Sequence, residues 1–366
     1  MRLGRNLLAG VANASWSALV SLAAIPLYLK YLGIEAYGLI GFFVTTQALL
    51  QFLDMGMAPT VNREVARCSV SGKLQEAGKL LHTLAFIYWG MAVVIALLIL
   101  LLAPLISEHW LQSRQLSPST ISHAVMLIGL VVACRWPVGL YQGALIGAQR
   151  LIVSSSINMV MVSIGAIGAV SILAFVSPTI EAFFIWQACV GLVYALVMRT
   201  AAWRIIGRVS HLRFDIEKLK NVWRFSAGMT GVALTALAFT QLDKILLSNL
   251  LELEDFGYYM LATVVVSVLN ILISPVFNVI FPRFSALVES GSNDKIVELY
   301  RLGSRMLAIV IFPIAMVFVV FAGDIVLVWT GSPDTAAKVA PLISLLVIGS
   351  ALNGVMYFPY ALQLAY

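Results

Sequence analysis

The sequence predicts an all-α polytopic membrane protein made of two like-oriented lobes, and three observations carry that prediction. Of the 366 residues, 61% are hydrophobic and only 11% charged, with a mean hydropathy of +0.97. A soluble domain carries about 25% charged residues. Apolar runs of roughly 20 residues, the length of a bilayer-crossing helix, recur throughout, and none alternates like the strands of a membrane barrel. The third observation is an internal repeat. Arg224 stands 219 residues after Arg5, and Glu254-Asp255-Phe256-Gly257 stands 219 after Glu35-Ala36-Tyr37-Gly38. Ser290-Gly291 repeats Ser71-Gly72 at the same offset. The chain therefore reads as a six-helix N-terminal lobe over 1–206, a basic linker over 207–222, and a C-terminal lobe over 223–366.

Charge and Gly/Pro breaks divide the chain into ten expected spans: 7–29, 36–57, 83–106, 121–147, 151–176, 180–203, 223–250, 256–281, 303–329 and 337–362. The start has the basic flank of a signal sequence, but its apolar part is too long and lacks a small-residue cleavage site, so it reads as a retained helix. Asn6, Gly10, Asn13, Ser17 and Ser21 share one face of the first span, which suits either helix packing or a water-lined surface. The second span carries Gln47, Gln51 and Asp54 on one face, with Asp54 near its end. The third is almost wholly aliphatic and offers no chemistry.

In the fourth span, Arg135 lies close to the middle, where its side chain cannot easily snorkel to either interface. Pro137 should bend this helix, and Gly143 and Gly147 offer a small-xxx-small surface for close contact. The fifth and sixth spans hold packing groups such as Asn158 and Gln187. The seventh carries Asp243 and Lys244, about 100° apart on a helix and so not facing one another. The eighth has the clearest polar stripe: Thr263, Ser267, Asn270, Ser274 and Asn278. A charge at the bilayer centre costs at least about 2.5–3.5 kcal/mol, so buried cations and polar stripes point to a wet cavity or to interhelical pairing. The ninth and tenth spans add little, and the ending Leu364-Ala365-Tyr366, with no polar tail, reads as a truncated lobe.

The net charge of +6 is a topology signal rather than a nucleic-acid signature. With the N-terminus inside, 18 of the 23 Lys and Arg fall in the inner loops and helix ends, as the positive-inside bias requires. Arg135 and Lys244 remain in the membrane. The three cysteines are widely spaced and the four histidines scattered, so neither disulfides nor a metal site follow. GxxxxGK[ST], HExxH, CxxC and G-x-S-x-G motifs are absent from the sequence, and the loops reach only about 20 residues. Transport is expected rather than catalysis, with no cofactor. A parallel repeat of this kind binds its substrate between its halves and alternates access by rocking them.

Several ordered motifs resemble the polysaccharide repeat-unit flippases, the O-antigen (Wzx-type) branch of the MOP (MATE-like) exporter superfamily. They are Pro26-Leu-Tyr-Leu-Lys-Tyr-Leu-Gly33 with Glu35-Ala-Tyr-Gly38, Leu53-Asp-Met-Gly56 leading to Arg63, and Gly143-Ala-Leu-Ile-Gly-Ala-Gln-Arg150. Gln241-Leu-Asp-Lys244, Phe256-Gly-Tyr-Tyr259 and Phe281-Pro-Arg-Phe284 fit the same group. The resemblance implies a multi-pass protein of the bacterial inner membrane, N-terminus cytoplasmic, that moves an undecaprenyl-diphosphate-linked oligosaccharide to the periplasmic leaflet. It also implies at least twelve spans, so a C-terminal pair would be missing. A polysaccharide polymerase, a chain-length regulator and membrane lipids are the expected partners.

On this reading Arg135 and Lys244 attract the diphosphate or acidic sugars, with Asp243 beside them. Asn270, Asn278, Gln47 and Gln51 offer hydrogen bonds to sugars. The alternatives are a cation-coupled multidrug or lipid II exporter of the same superfamily, with Asp54 or Asp243 carrying the ion, and a non-transporting glycan-assembly partner. Multidrug members commonly carry an acidic residue in span 1, which this sequence lacks. Lipid II flippases place arginines deeper than Arg2 and Arg5.

Overall fold

The computed structural model describes residues 2–54, 56–70, 74–207, 235 and 238–365, without the side chains of 2–7, 70, 74–76, 270–272, 274–279 and 282. The expected linker beyond Gly207 and the first part of the seventh span lie outside the described residues. The described chain forms two compact units, Met1–Gly257 and Tyr258–Tyr366.

Among the described residues all regular structure is helical. The elements are α1 (Arg2–Leu50), a 3-10 turn (Gln51–Asp54), α2 (Met57–Val70), α3 (Leu74–His109), α4 (Pro118–Arg135), α5 (Val138–Gly147), α6 (Leu151–Phe175) and α7 (Ile180–Ile206). They continue as α8 (238–250), α9 (Leu253–Glu289), α10 (Asn293–Val320), α11 (Ala322–Thr330), α12 (Pro333–Val355) and α13 (Tyr357–Ala365). Seven stretches of the described residues are long and apolar enough to cross a membrane: Leu8–Asp54, Ala77–His109, Pro118–Gly147, Leu151–Phe175, Ile180–Ile206, Asn293–Val320 and Pro333–Ala365. The first two expected spans merge into the first of these, broken at Gly33 (φ 80°, ψ 171°). The expected span 256–281 lies within α9.

Local chemistry explains the element boundaries in the first unit. Ser117 caps α4 by accepting from the Thr120 N–H at 3.2 Å, and Thr179 caps α7 by accepting from the Ala182 N–H at 3.3 Å. Pro137 ends the α4 ladder as expected: it has no N–H to give, and the helix breaks at Trp136-Pro137 before restarting as α5. The predicted small-residue surface is also realised. A Cβ on Gly143 would lie 2.7 Å from the Ala58 carbonyl oxygen, and one on Gly147 2.4 Å from that of Asn62, so α5 rests backbone-to-backbone on α2.

Two apolar clusters fill this unit. One gathers Tyr28, Leu39, Phe43, Ile99, Ile128, Phe183 and Phe184 from α1, α3, α4 and α7. The other gathers Val61, Leu84, Tyr88, Leu140, Tyr141 and Met198 from α2, α3, α5 and α7. Trp136, at the α4–α5 break, packs against both. Arg135 therefore sits at the seam of the unit.

The internal repeat has a physical counterpart. A Cβ on Gly38 would lie 2.3 Å from the carbonyl oxygen of Leu253, and one on Gly257 would lie 2.5 Å from that of Ile34. Around this crossing the loop 110–117 acts as a strap. The Leu253 N–H donates to the Gln112 carbonyl at 2.7 Å, Trp110 Nε1 donates to Ser248 Oγ at 3.0 Å, and Arg114 Nε meets Glu252 at 2.6 Å. The other end of the strap is held by the buried carboxylate of Glu35, which accepts from Ser113 Oγ at 2.8 Å, Arg114 N at 2.7 Å and Gln115 N at 3.1 Å.

In the second unit α10, α11 and α12 pack together. Phe358 of α13 covers Gly303 of α10, where a Cβ would meet its ring at 2.2 Å, and it packs edge-on to Phe284 and Tyr300. Gly354 lets α12 close onto Ile273 and Ile311. Lys338 lies 4.7 Å from the Tyr258 ring centre.

Candidate substrate site

Arg135 is the last residue of α4 and leaves that helix among apolar neighbours. Its side chain runs along α7 over Gly191, where a Cβ would come within 2.9 Å of the Arg135 Cγ. The guanidinium lies 5.6 Å from the Phe43 ring centre, inside the range of a cation–π contact. One nitrogen, Nη2, donates to Gln187 Oε1 at 2.6 Å, a short charge-assisted bond. The Nε–H is closed off from solvent and has no acceptor. Tyr194, Tyr28 and Cys134 act on it electrostatically. Among the described residues no carboxylate pairs with Arg135.

The Gln187 carboxamide is anchored on its other side by a long Nε2 contact to the Gly165 carbonyl, 3.5 Å, a carbonyl also bonded by Trp186 Nε1 at 3.2 Å. Seven residues along α7, Tyr194 donates to Asn158 Oδ1 at 2.8 Å, and the Asn158 amide donates to Asn13 Oδ1 at 2.8 Å and Ser17 Oγ at 3.4 Å. The polar face predicted on the first span is thus used for bonds to α6, which is the helix-packing alternative. What results is a polar seam between α1, α4, α6 and α7 carrying one positive charge.

The other expected site residues fall elsewhere. Lys244 does not stand free of Asp243 as their angular separation suggested. The two side chains bend to within 3.6 Å, and the ammonium donates to the Thr240 carbonyl at 2.9 Å. The lysine's flexible stem overrides the 100° offset, and the adjacent carboxylate offsets its charge. Asp54 closes the turn before α2: it accepts from the Ala58 N–H at 3.3 Å and from the Tyr88 hydroxyl, tying the α2 N-terminus to α3. Gln47 is half-buried on α1 and Gln51 exposed in the turn beyond it; no hydrogen bond joins either to the Arg135 pair. The side chains of Asn270 and Asn278 lie outside the described residues.

The sequence marks Gln187 only as a packing group, yet it is the direct partner of Arg135. A lone amide in an apolar span was a usable signal. Phe43, Gly191 and Tyr194 gave none, since only the fold brings them to the cation.

Comparison with known proteins matches residues 30–335 to the polysaccharide biosynthesis protein family. The chain belongs to that family. A Shigella flexneri protein whose name describes an O-antigen transporter is 20% identical over 362 residues, covering 96% of this chain and 84% of that one. Among solved structures, the inward-facing conformation of a multidrug resistance MATE family transporter of the MOP superfamily superposes with a TM-score of 0.66 at 12% identity, over 95% of this chain and 83% of that one. The chain thus has a MATE-like fold and is a multi-pass membrane protein.

Proposed function

We propose that this family member is a flippase that carries an undecaprenyl-diphosphate-linked polysaccharide repeat unit from the cytoplasmic to the periplasmic leaflet by alternating access. The family supports the polysaccharide, the Shigella relative supports O-antigen as its destination, and the MATE-like fold supports transport. Arg135 is the observation that carries the substrate assignment. A guanidinium held within a membrane-crossing stretch, with a free donor and no carboxylate partner among the described residues, is suited to an anion. Opposite charge is worth most where the dielectric is low. The diphosphate of the lipid carrier supplies that anion, and the neutral amides and hydroxyls of the seam suit sugar hydroxyls. The test is surface polysaccharide in cells relying on R135A or R135E at wild-type protein level. Loss of surface polysaccharide is expected in both, and normal export by both would overturn the assignment.

A further inference from the structure

We propose that Gln187 is a stand-in for the substrate: its carboxamide oxygen occupies the position on Arg135 that a phosphate oxygen takes when the lipid-linked glycan binds. This rests on the reading of Arg135 as the anion contact. The charge itself motivates the idea. Arg presents its donors as a rigid planar fork matched to phosphate or carboxylate oxygens. Here Nη2 is engaged at 2.6 Å by a neutral oxygen, while Nε stays closed off without an acceptor. A carboxylate in place of Gln187 would form a buried ion pair, cancel the charge and be hard to separate. With a carboxamide the donor is satisfied and the positive charge survives. The fork is held in its binding geometry by Phe43 on one side and the Gly191 notch on the other.

Gln187 is also placed to release. It is buried, and its remaining amide contact is the weak 3.5 Å one to Gly165. Rotation of the carboxamide gives up one bond to Nη2, which the phosphate oxygen replaces, and opens Nη2 beside the unpaired Nε–H, giving two adjacent donors for one phosphate. The same amide returns when the anion leaves, so Arg135 never passes through a state with neither partner. A carrier needs this property, because a site that binds too well does not let go. Gln187 is thus a positioning residue that sets how tightly the anion is held.

The test is concentration-dependent translocation in proteoliposomes holding the full chain, with a short-chain polyprenyl diphosphate bearing one N-acetylglucosamine as the probe. In Gln187→Met, of similar size but without the competing oxygen, the half-saturating concentration should fall at least about tenfold, the worth of one hydrogen bond to a charged group, and the maximal rate should fall with it. In Gln187→Glu, of the same shape, transport should be lost while the melting temperature in detergent is kept or raised. At a purely structural site glutamate would keep the bond from Arg135 and lose only the long contact to Gly165, so transport would survive. Wild-type transport by Gln187→Glu therefore overturns the inference even if Gln187→Met fails to fold. Arg135→Ala is measured alongside. If it transports normally the anion site itself is wrong; if it is dead while both Gln187 variants behave like wild type, only the stand-in role is refuted.

Discussion

Gly38 and Gly257 cross with their backbones in contact, each lying over the carbonyl of the residue four positions before the other. Leu253 follows Ile34 by 219 residues, as Gly257 follows Gly38, so the two contacts are one contact made twice. The repeat found in the sequence is thus a local two-fold relation in the structure. It explains why glycine recurs at both positions: neither site has room for a Cβ.

Gly38→Ala and Gly257→Ala should each destabilise the protein by about 1–3 kcal/mol, the cost of overpacking a tight contact. Because the residues touch, the double variant should cost less than the sum of the singles. Thermal unfolding in detergent measures both. Additive effects would mean the two contacts are independent.

The strap makes a second prediction. Glu35→Gln would turn an N–H donor toward a carboxylate site lined by the N–H groups of Arg114 and Gln115. It should cost about 1–3 kcal/mol, as for a buried group left unsatisfied, and should raise amide exchange across 110–117. Arg114→Ala should have a much smaller effect. The Glu252 bond holds the Arg114 guanidinium above its usual pKa, so it stays charged, but the arginine is largely exposed and the pair solvent-screened.

Gly191→Ala tests the placement of Arg135 without touching its charge. The added methyl would lie 2.9 Å from Cγ and push the side chain off α7. Protein level should be near normal and surface polysaccharide reduced at least tenfold, since small misplacements of a binding group are costly. Export equal to wild type would show that the guanidinium tolerates another path.

Asp54 allows two roles to be separated. As the group closing the α2 N-terminus it should tolerate Asp54→Asn, because Asn caps helices well, while Asp54→Ala should cost about 1 kcal/mol. As an ion carrier it should lose transport in Asp54→Asn with no change in melting temperature. Tyr88→Phe, which removes the hydroxyl donor, should destabilise in either case.

What was legible in the sequence was what neighbours along the chain decide. Pro137 breaks its helix because the missing N–H acts locally, and Gly143 with Gly147 marks a contact face because four residues return to one side. Asn13 and Ser17 announced a polar face but not its partner. The pairing of Arg135 with Gln187 spans 52 residues and depends on how α4 and α7 are rotated, which one sequence does not fix. Glu35 is a stronger case. A lone carboxylate at a helix start looks solvated, and only the returning strap reveals that it binds three backbone and hydroxyl donors. The Asp243–Lys244 contact is not legible in the helical spacing, because helical angles describe Cβ directions, not where a four-carbon stem can reach.

The glycine crossing also imposes an order of events during biosynthesis. The notch at Gly38 leaves the ribosome 215 residues ahead of Leu253, whose carbonyl fills it, a delay of about 10–40 s at typical elongation rates. Throughout that interval the nascent chain carries an uncovered backbone notch at Gly38. Slower synthesis of the intervening stretch would therefore prolong the exposure of that notch before Leu253 and Gly257 close it.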